Sequence, residues 1–194
     1  MIDLERTIYH MTETWPKYDN LKNESNSTIA DFISKIYKKG IFREINRLLT
    51  CDIYDENTQK HYRNCDGIGH IVLIAICCAI DSLSAFASGG GEVRNRFTSF
   101  IARYFPSNYS GKESKIYEAF RCDSVHGWNL HKSTISGYVN DPKHLSEEGG
   151  TIHISLYDLF NDLNKAFDNY YQELKEDNTI KNKLLKRYKD IHAK

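Results

Sequence analysis

The sequence predicts an all-α protein, a helical bundle interrupted by one short irregular or β-hairpin excursion around residues 128–154. Three observations carry that expectation. Proline is scarce, 3 in 194 residues, and scarce proline favours long uninterrupted helices. Apolar residues recur at helical spacing through most of the chain. Between 128 and 154 that period is lost, and Gly137, Asn140-Asp141-Pro142 and Gly149-Gly150 supply turn signals instead.

The elements follow in chain order. Residues 3–15 are weakly periodic and predict a short first helix. Residues 16–27 are polar and rich in Asn and Ser, hence a loop. Ser27 or Thr28 can cap a helix running to about Leu49, with Ile29, Ile33, Ile36, Tyr37, Ile41, Ile45, Leu48 and Leu49 along one stripe. Gly40 interrupts or splits it. Residues 51–65 predict a polar connection. A core helix over 67–87 ends at Gly89-Gly90-Gly91. A helix over 92–105 turns Val93, Phe97, Phe100, Ile101 and Tyr104 to one face, and Pro106 closes it. The next covers 112–125, with Ile116, Tyr117 and Phe120 inward and Gly127 as its stop. Ser155 opens a long helix to about Glu176, striped by Leu156, Leu159, Phe160, Leu163, Phe167, Tyr170 and Leu174. A basic amphipathic helix over 179–190 ends the series, its lysines and Arg187 open to a partner helix or an RNA backbone. Nothing suggests a repeat or linker, so residues 1–194 are read as one domain.

Lysine plus arginine equals aspartate plus glutamate, 26 each. That balance argues against non-specific duplex binding over a whole face and leaves room for a local basic site. The five cysteines, Cys51, Cys65, Cys77, Cys78 and Cys122, are odd in number, and two sit in an apolar run. With a charged N-terminus in place of a secretory leader, they read as reduced thiols of a cytoplasmic protein. The apolar run Ile68–Ile80 is about thirteen residues, short of the ~20 that a membrane span needs. It predicts a buried core helix and no membrane association. Asp81 follows it directly. A carboxylate there needs a partner, and Arg121 is the first choice.

The most informative stretch is YEAFRCDSVHGWNLHKS, residues 117–133. Arg121 precedes His126 by five positions, near a predicted helix end, and Cys122, Asp123, Trp128, His131 and Lys132 crowd the same stretch. The pair, together with the apolar helix ending in IAICCAIDSLSAF and the helix RFTSFIARYF, resembles the HEPN superfamily. Its mark is an arginine followed four to six residues later by a histidine on a late bundle helix. The resemblance spans about residues 29–177. It implies a small helical domain and, in active members, a metal-independent RNase in which two motifs face one cleft of a homodimer. Arg121 would contact phosphate and His126 would move protons, with Asp81, Cys122 and Asp123 in support. Trp128, His131 and Lys132 would be available to RNA. A role as toxin or phage-defence component, with an antitoxin or other protein partner, belongs to the same implication. At the position after the arginine the family usually has Asn, Asp or His, and this chain has Cys122. Relatives that act as non-catalytic modules, binding a nucleotide, RNA or protein, are the alternative.

The residue types suit the chemistry. RNA cleavage without metal needs a base for the 2′-hydroxyl, a cation for the phosphate and an acid for the leaving oxygen. Arginine offers a planar charged fork, and histidine moves protons near neutrality. Residues five apart on an α-helix point ~140° apart, so the two converge only where the helix ends or distorts, or where two copies share a cleft. Plainer roles stay open. Arg121 could complement a helix dipole or pair with Asp81 or Glu118, and His126 could cap the helix. Trp128 could pack in the core, and His131 and Lys132 could be solvated. Cys122 with His126, and His61 with Cys65, have zinc-like spacing but stand as isolated pairs, so neither metal nor other cofactor is expected. The glycines at 89–91 follow a helix rather than a strand and are no phosphate loop.

Overall fold

The structure is a computed structural model that describes residues 16–57, 59–63, 68–122 and 133–192. The expected helix over 3–15 lies outside them.

The chain is mostly helical, with a three-stranded sheet and a separate two-stranded hairpin. A short helix α1 (Tyr18–Leu21) precedes α2 (Asn26–Ile36). Ser25, rather than Ser27 or Thr28, caps α2, because its hydroxyl reaches the Thr28 N–H at 3.1 Å. At Gly40 the helix neither breaks nor stays regular. Residues Tyr37–Ile41 form a wide π-turn that leads straight into α3 (Phe42–Leu49).

The polar connection predicted over 51–65 is instead an antiparallel hairpin, β1 (Asp52–Asp55) with β2 (Lys60–Arg63). The central helix α4 (Gly69–Ser88) has 20 residues. It is longer than the apolar run Ile68–Ile80, and by length and composition alone it could cross a membrane. Its packing identifies it as a core element. It lies against α5 (Val93–Tyr104), α7 (Leu156–Glu176) and α8 (Asn178–His192), and Val72, Leu73, Ile76, Ile80, Leu83 and Phe86 are buried between them. Gly89 stops α4 in the left-handed region, φ 76°. The Gly90 N–H then bonds back to the Ala85 carbonyl at 3.0 Å, a Schellman-type closure. A side chain at Gly89 would also meet the backbone of Lys183 on α8 at 3.3 Å.

The Glu92 carboxylate caps α5 by accepting the N–H groups of Arg94 and Asn95, which hold its carboxyl below the usual range. Of the segment predicted as one helix over 112–125, the described residues form a single α-turn, α6 (Glu113–Ile116), opening into a second π-turn, Tyr117–Cys122, and residues 123–125 lie outside them.

The expected excursion contains a small mixed sheet. Strand β3 (Ser133–Ser136) pairs in parallel with β5 (Thr151–Ser155), and β4 (Glu147–Glu148) pairs antiparallel with β5 across Gly149-Gly150. The chain is predominantly α as expected, and the excursion is a small sheet. Ile152 and Ile154 turn into the core. Buried Tyr109 ties the excursion to α7, with its hydroxyl 3.1 Å from Asp162 Oδ2 and 3.0 Å from His144 Nε2. The basic helix α8 docks by burying Ile180, Leu184, Leu185 and Tyr188.

Candidate functional site

The site begins with Asp81. The apolar sequence before it forces α4 into the core, and Asp81 emerges at the rim with its side chain 20% exposed. It is half-buried rather than fully buried, and its two oxygens are engaged by different arginines. Arg121 Nη2 lies 3.2 Å from Oδ2, and Arg96 Nη2 lies 2.8 Å from Oδ1. The Arg121 partner anticipated from sequence is present. Arg96 was not anticipated. The three-glycine turn folds α5 back along α4, and Arg96 also donates to the Gly91 carbonyl at 3.1 Å. That short reversal, placing residue 96 beside residue 81, was the available signal.

Arg121 sits in the last turn of the second π-turn. Burial lowers its basicity, but the hydrogen bond and charge of Asp81 outweigh burial and raise it, so it stays a cation. Its guanidinium carbon lies 5.8 Å from the centre of the Tyr117 ring, as does that of Arg94. Both are at the outer limit of cation–π attraction. Arg94 pairs with Glu118 rather than with Asp81. Phe97 packs edge-on against Tyr117 at 5.4 Å and seats the ring.

The π-turn brings residues five apart into register. Tyr117 and Cys122 are such a pair. Burial first and the Cys122 thiol second push the Tyr117 phenol up. Cys122 is half-buried, Cys77 is buried and Cys78 is exposed. Burial pushes the Cys77 thiol up, with the neighbouring Cys78 adding to it, so Cys77 stays a protonated thiol.

Asp81, Arg121 and Cys122 are thus brought together. Asp123, His126, Trp128, His131 and Lys132 lie outside the described residues, as does Cys65 of the isolated His61–Cys65 spacing. Chemically, the described part is a guanidinium presented on a distorted helix and oriented by a carboxylate anchored on the central helix. It can hold an anion. Comparison of the chain with protein-family models, with curated proteins and with solved structures returns no match.

Proposed function

We propose that this protein is an HEPN-like, metal-independent endoribonuclease that acts as a homodimer. One observation carries the reading. Arg121, the first residue of the Arg121-to-His126 stretch, is held by Asp81 from the core helix while Arg96 takes the other carboxylate oxygen. A cation positioned in advance is what phosphate stabilisation needs, because no reorganisation is then required as charge develops. In this reading Arg121 holds a phosphate oxygen and His126 transfers protons between the 2′-hydroxyl and the leaving oxygen. Asp81 positions Arg121 and touches no substrate.

The surface next to this cluster supports the dimer. Ile71 and Cys78 are exposed and Ala75 is half-buried, one stripe of the most apolar helix, running up to Asp81. A second copy packed on that stripe would bring two Arg121 side chains to one seam. Within the same reading the protein is a cytoplasmic toxin or defence component.

The test is labelled single-stranded RNA incubated in chelator with the wild type, His126→Ala and Arg121→Lys. The wild type should cut RNA, spare DNA, which lacks the 2′-hydroxyl, and leave a 2′,3′-cyclic phosphate or its hydrolysed form. Both variants should lose most activity, since lysine cannot reproduce the planar fork. Equal cleavage by wild type and His126→Ala would overturn the reading.

A second reading, a non-catalytic module binding RNA, a nucleotide or a protein, is favoured by Cys122. That residue puts a weakly polar thiol where the family usually has Asn, Asp or His, so the position beside Arg121 offers a substrate a poorer hydrogen-bonding group. RNA binding without cleavage, weakened by Arg121→Lys, would select it.

A further inference from the structure

The three-stranded sheet and the loop that follows β3 carry a hydroxyl, an imidazole and a carboxylate in line, and the RNA reading uses none of them. Thr134 on β3 and His153 on β5 are register partners. Thr134 Oγ1 lies 2.8 Å from His153 Nδ1, and His153 Nε2 lies 2.9 Å from Asp141 Oδ2. The partners determine where the hydrogens are. Asp141 also accepts the Ser136 hydroxyl and the Lys143 N–H. Ser136 first, then His153 and Lys143, hold its carboxyl down at about 2. An ionised carboxylate only accepts, so Nε2 carries the ring hydrogen. When the ring is neutral, Nδ1 is then the acceptor, and the Thr134 hydroxyl donates to it.

The array is also anchored. The Asn140 and Asp141 N–H groups donate to the Asp158 carboxylate at 2.9 and 2.8 Å, which ties Asp141 to the first turn of α7. Asp141 is 8% exposed and His153 is 19% exposed, while Thr134 is open to solvent. The carboxylate is sheltered and the hydroxyl is accessible. This is the order that activates a hydroxyl: nucleophile bonded to base, base bonded to an orienting group.

We propose that Thr134 is a nucleophile that accepts an acyl group from an activated acyl donor, a thioester or aryl ester, with His153 as general base and Asp141 as positioning residue. In the step, the Thr134 hydroxyl proton passes to His153 Nδ1 while Oγ1 bonds to the acyl carbon. The acyl–sulfur or acyl–oxygen bond breaks, and the leaving group departs as thiol or phenol with the proton that His153 returns. No electrons are exchanged. The donor needs a good leaving group because the geometry supplies activation at the nucleophile alone.

A merely structural Thr134–His153 bond would tie two strands together and leave the hydroxyl unreactive. The experiment separates the two. The full chain is incubated with p-nitrophenyl acetate, nitrophenolate release is followed by absorbance, and acetylated residues are located by peptide mass mapping. The wild type should carry an acetyl group on Thr134. Thr134→Ser should keep the label and Thr134→Val should lose it. His153→Gln should slow labelling about a hundredfold, the scale of general-base help. Asp141→Asn should slow it while lysine acetylation in the same sample is unchanged. Acetyl groups on lysines alone, or equal Thr134 labelling in His153→Gln, would overturn the proposal. If His153→Gln fails to fold, Thr134→Val decides, because a methyl for an exposed hydroxyl leaves the core intact. Its nitrophenolate release must then fall to the lysine background, and release equal to wild type refutes the proposal.

Discussion

The two π-turns are alike in form and opposite in use. Each begins with a tyrosine, and each is tied to α4 at adjacent residues. The first, Tyr37–Ile41, is tied by the Tyr37 hydroxyl to Ser82 Oγ at 2.6 Å. Lys38 closes it further, 3.0 Å from Asp168 and 5.2 Å from the centre of the Phe167 ring. The second, Tyr117–Cys122, is tied by Arg121 to Asp81. One bond is neutral and lies where Tyr37 is fully buried. The other is ionic and lies at the rim. A π-turn inserts a residue into a helix at some cost and is often kept at functional sites. Here the first serves packing, and the second sets a cation where the motif begins.

The comparison can be broken at its anchors. Asp81→Ala should have the largest effect. It leaves Arg96 and Arg121 side by side without their acid, and for a pair this buried the loss should be about 2–4 kcal/mol, somewhat below the cost for a fully interior pair. Urea unfolding measures it. A loss no greater than that of Ser82→Ala would show that the ionic anchor is not the stronger one.

A third tie, outside both turns, sets the next effect. The Asp141 carboxyl lies below its ordinary 3.8 at about 2, chiefly through Ser136 and then His153. A group with a depressed folded value contributes stability that is complete above the unfolded value and lost as pH falls through the folded one. Unfolding free energy should therefore decline between about pH 4 and pH 2, and Asp141→Asn should flatten that decline. An unchanged acid profile in the variant would exclude Asp141 as its source.

Ser82→Ala should cost about 1 kcal/mol, because the buried Tyr37 hydroxyl loses its partner. Tyr37→Phe added to it should restore part of the loss, and a double variant weaker than Ser82→Ala alone would contradict this. The smallest effect should be favourable. A side chain added at Gly40 meets nothing within 4 Å, and the residue is not in the left-handed region. Gly40→Ala should stabilise by about 0.5 kcal/mol through the unfolded chain. Destabilisation in thermal melting would mean that the first π-turn needs glycine for its shape.

The bundle helices were legible because a stripe of apolar residues has one reading at this length. Every member of the α7 stripe, from Leu156 to Leu174, is buried. The Asp81–Arg121 pair was legible for a different reason, since an acid at the end of an apolar helix needs a cation. The hairpin over 52–63 was not legible. Its strands are four residues each and carry charged residues among Ile53, Tyr54 and Tyr62, so the alternation was weak. The β4–β5 turn was marked by Gly149-Gly150, but the parallel pairing of β3 with β5 depends on where the chain returns in space and leaves no local trace. The second π-turn has no glycine or proline to announce it. That turn matters most for the site, because it sets Arg121 against Asp81.

The docking of α8 bears on how the protein is made. Ile180, Leu184, Leu185 and Tyr188 cover one flank of α4, and Gly89 admits the Lys183 backbone at close range. On the ribosome, α4 emerges about a hundred residues before the helix that covers it, which at ordinary elongation rates is roughly 5–20 seconds of synthesis. Through that interval the most apolar segment of the chain has an open flank. The nascent protein should therefore engage chaperones that recognise extended apolar sequence, and chains cut short before residue 178 should be cleared by proteolysis rather than persist as a smaller fold.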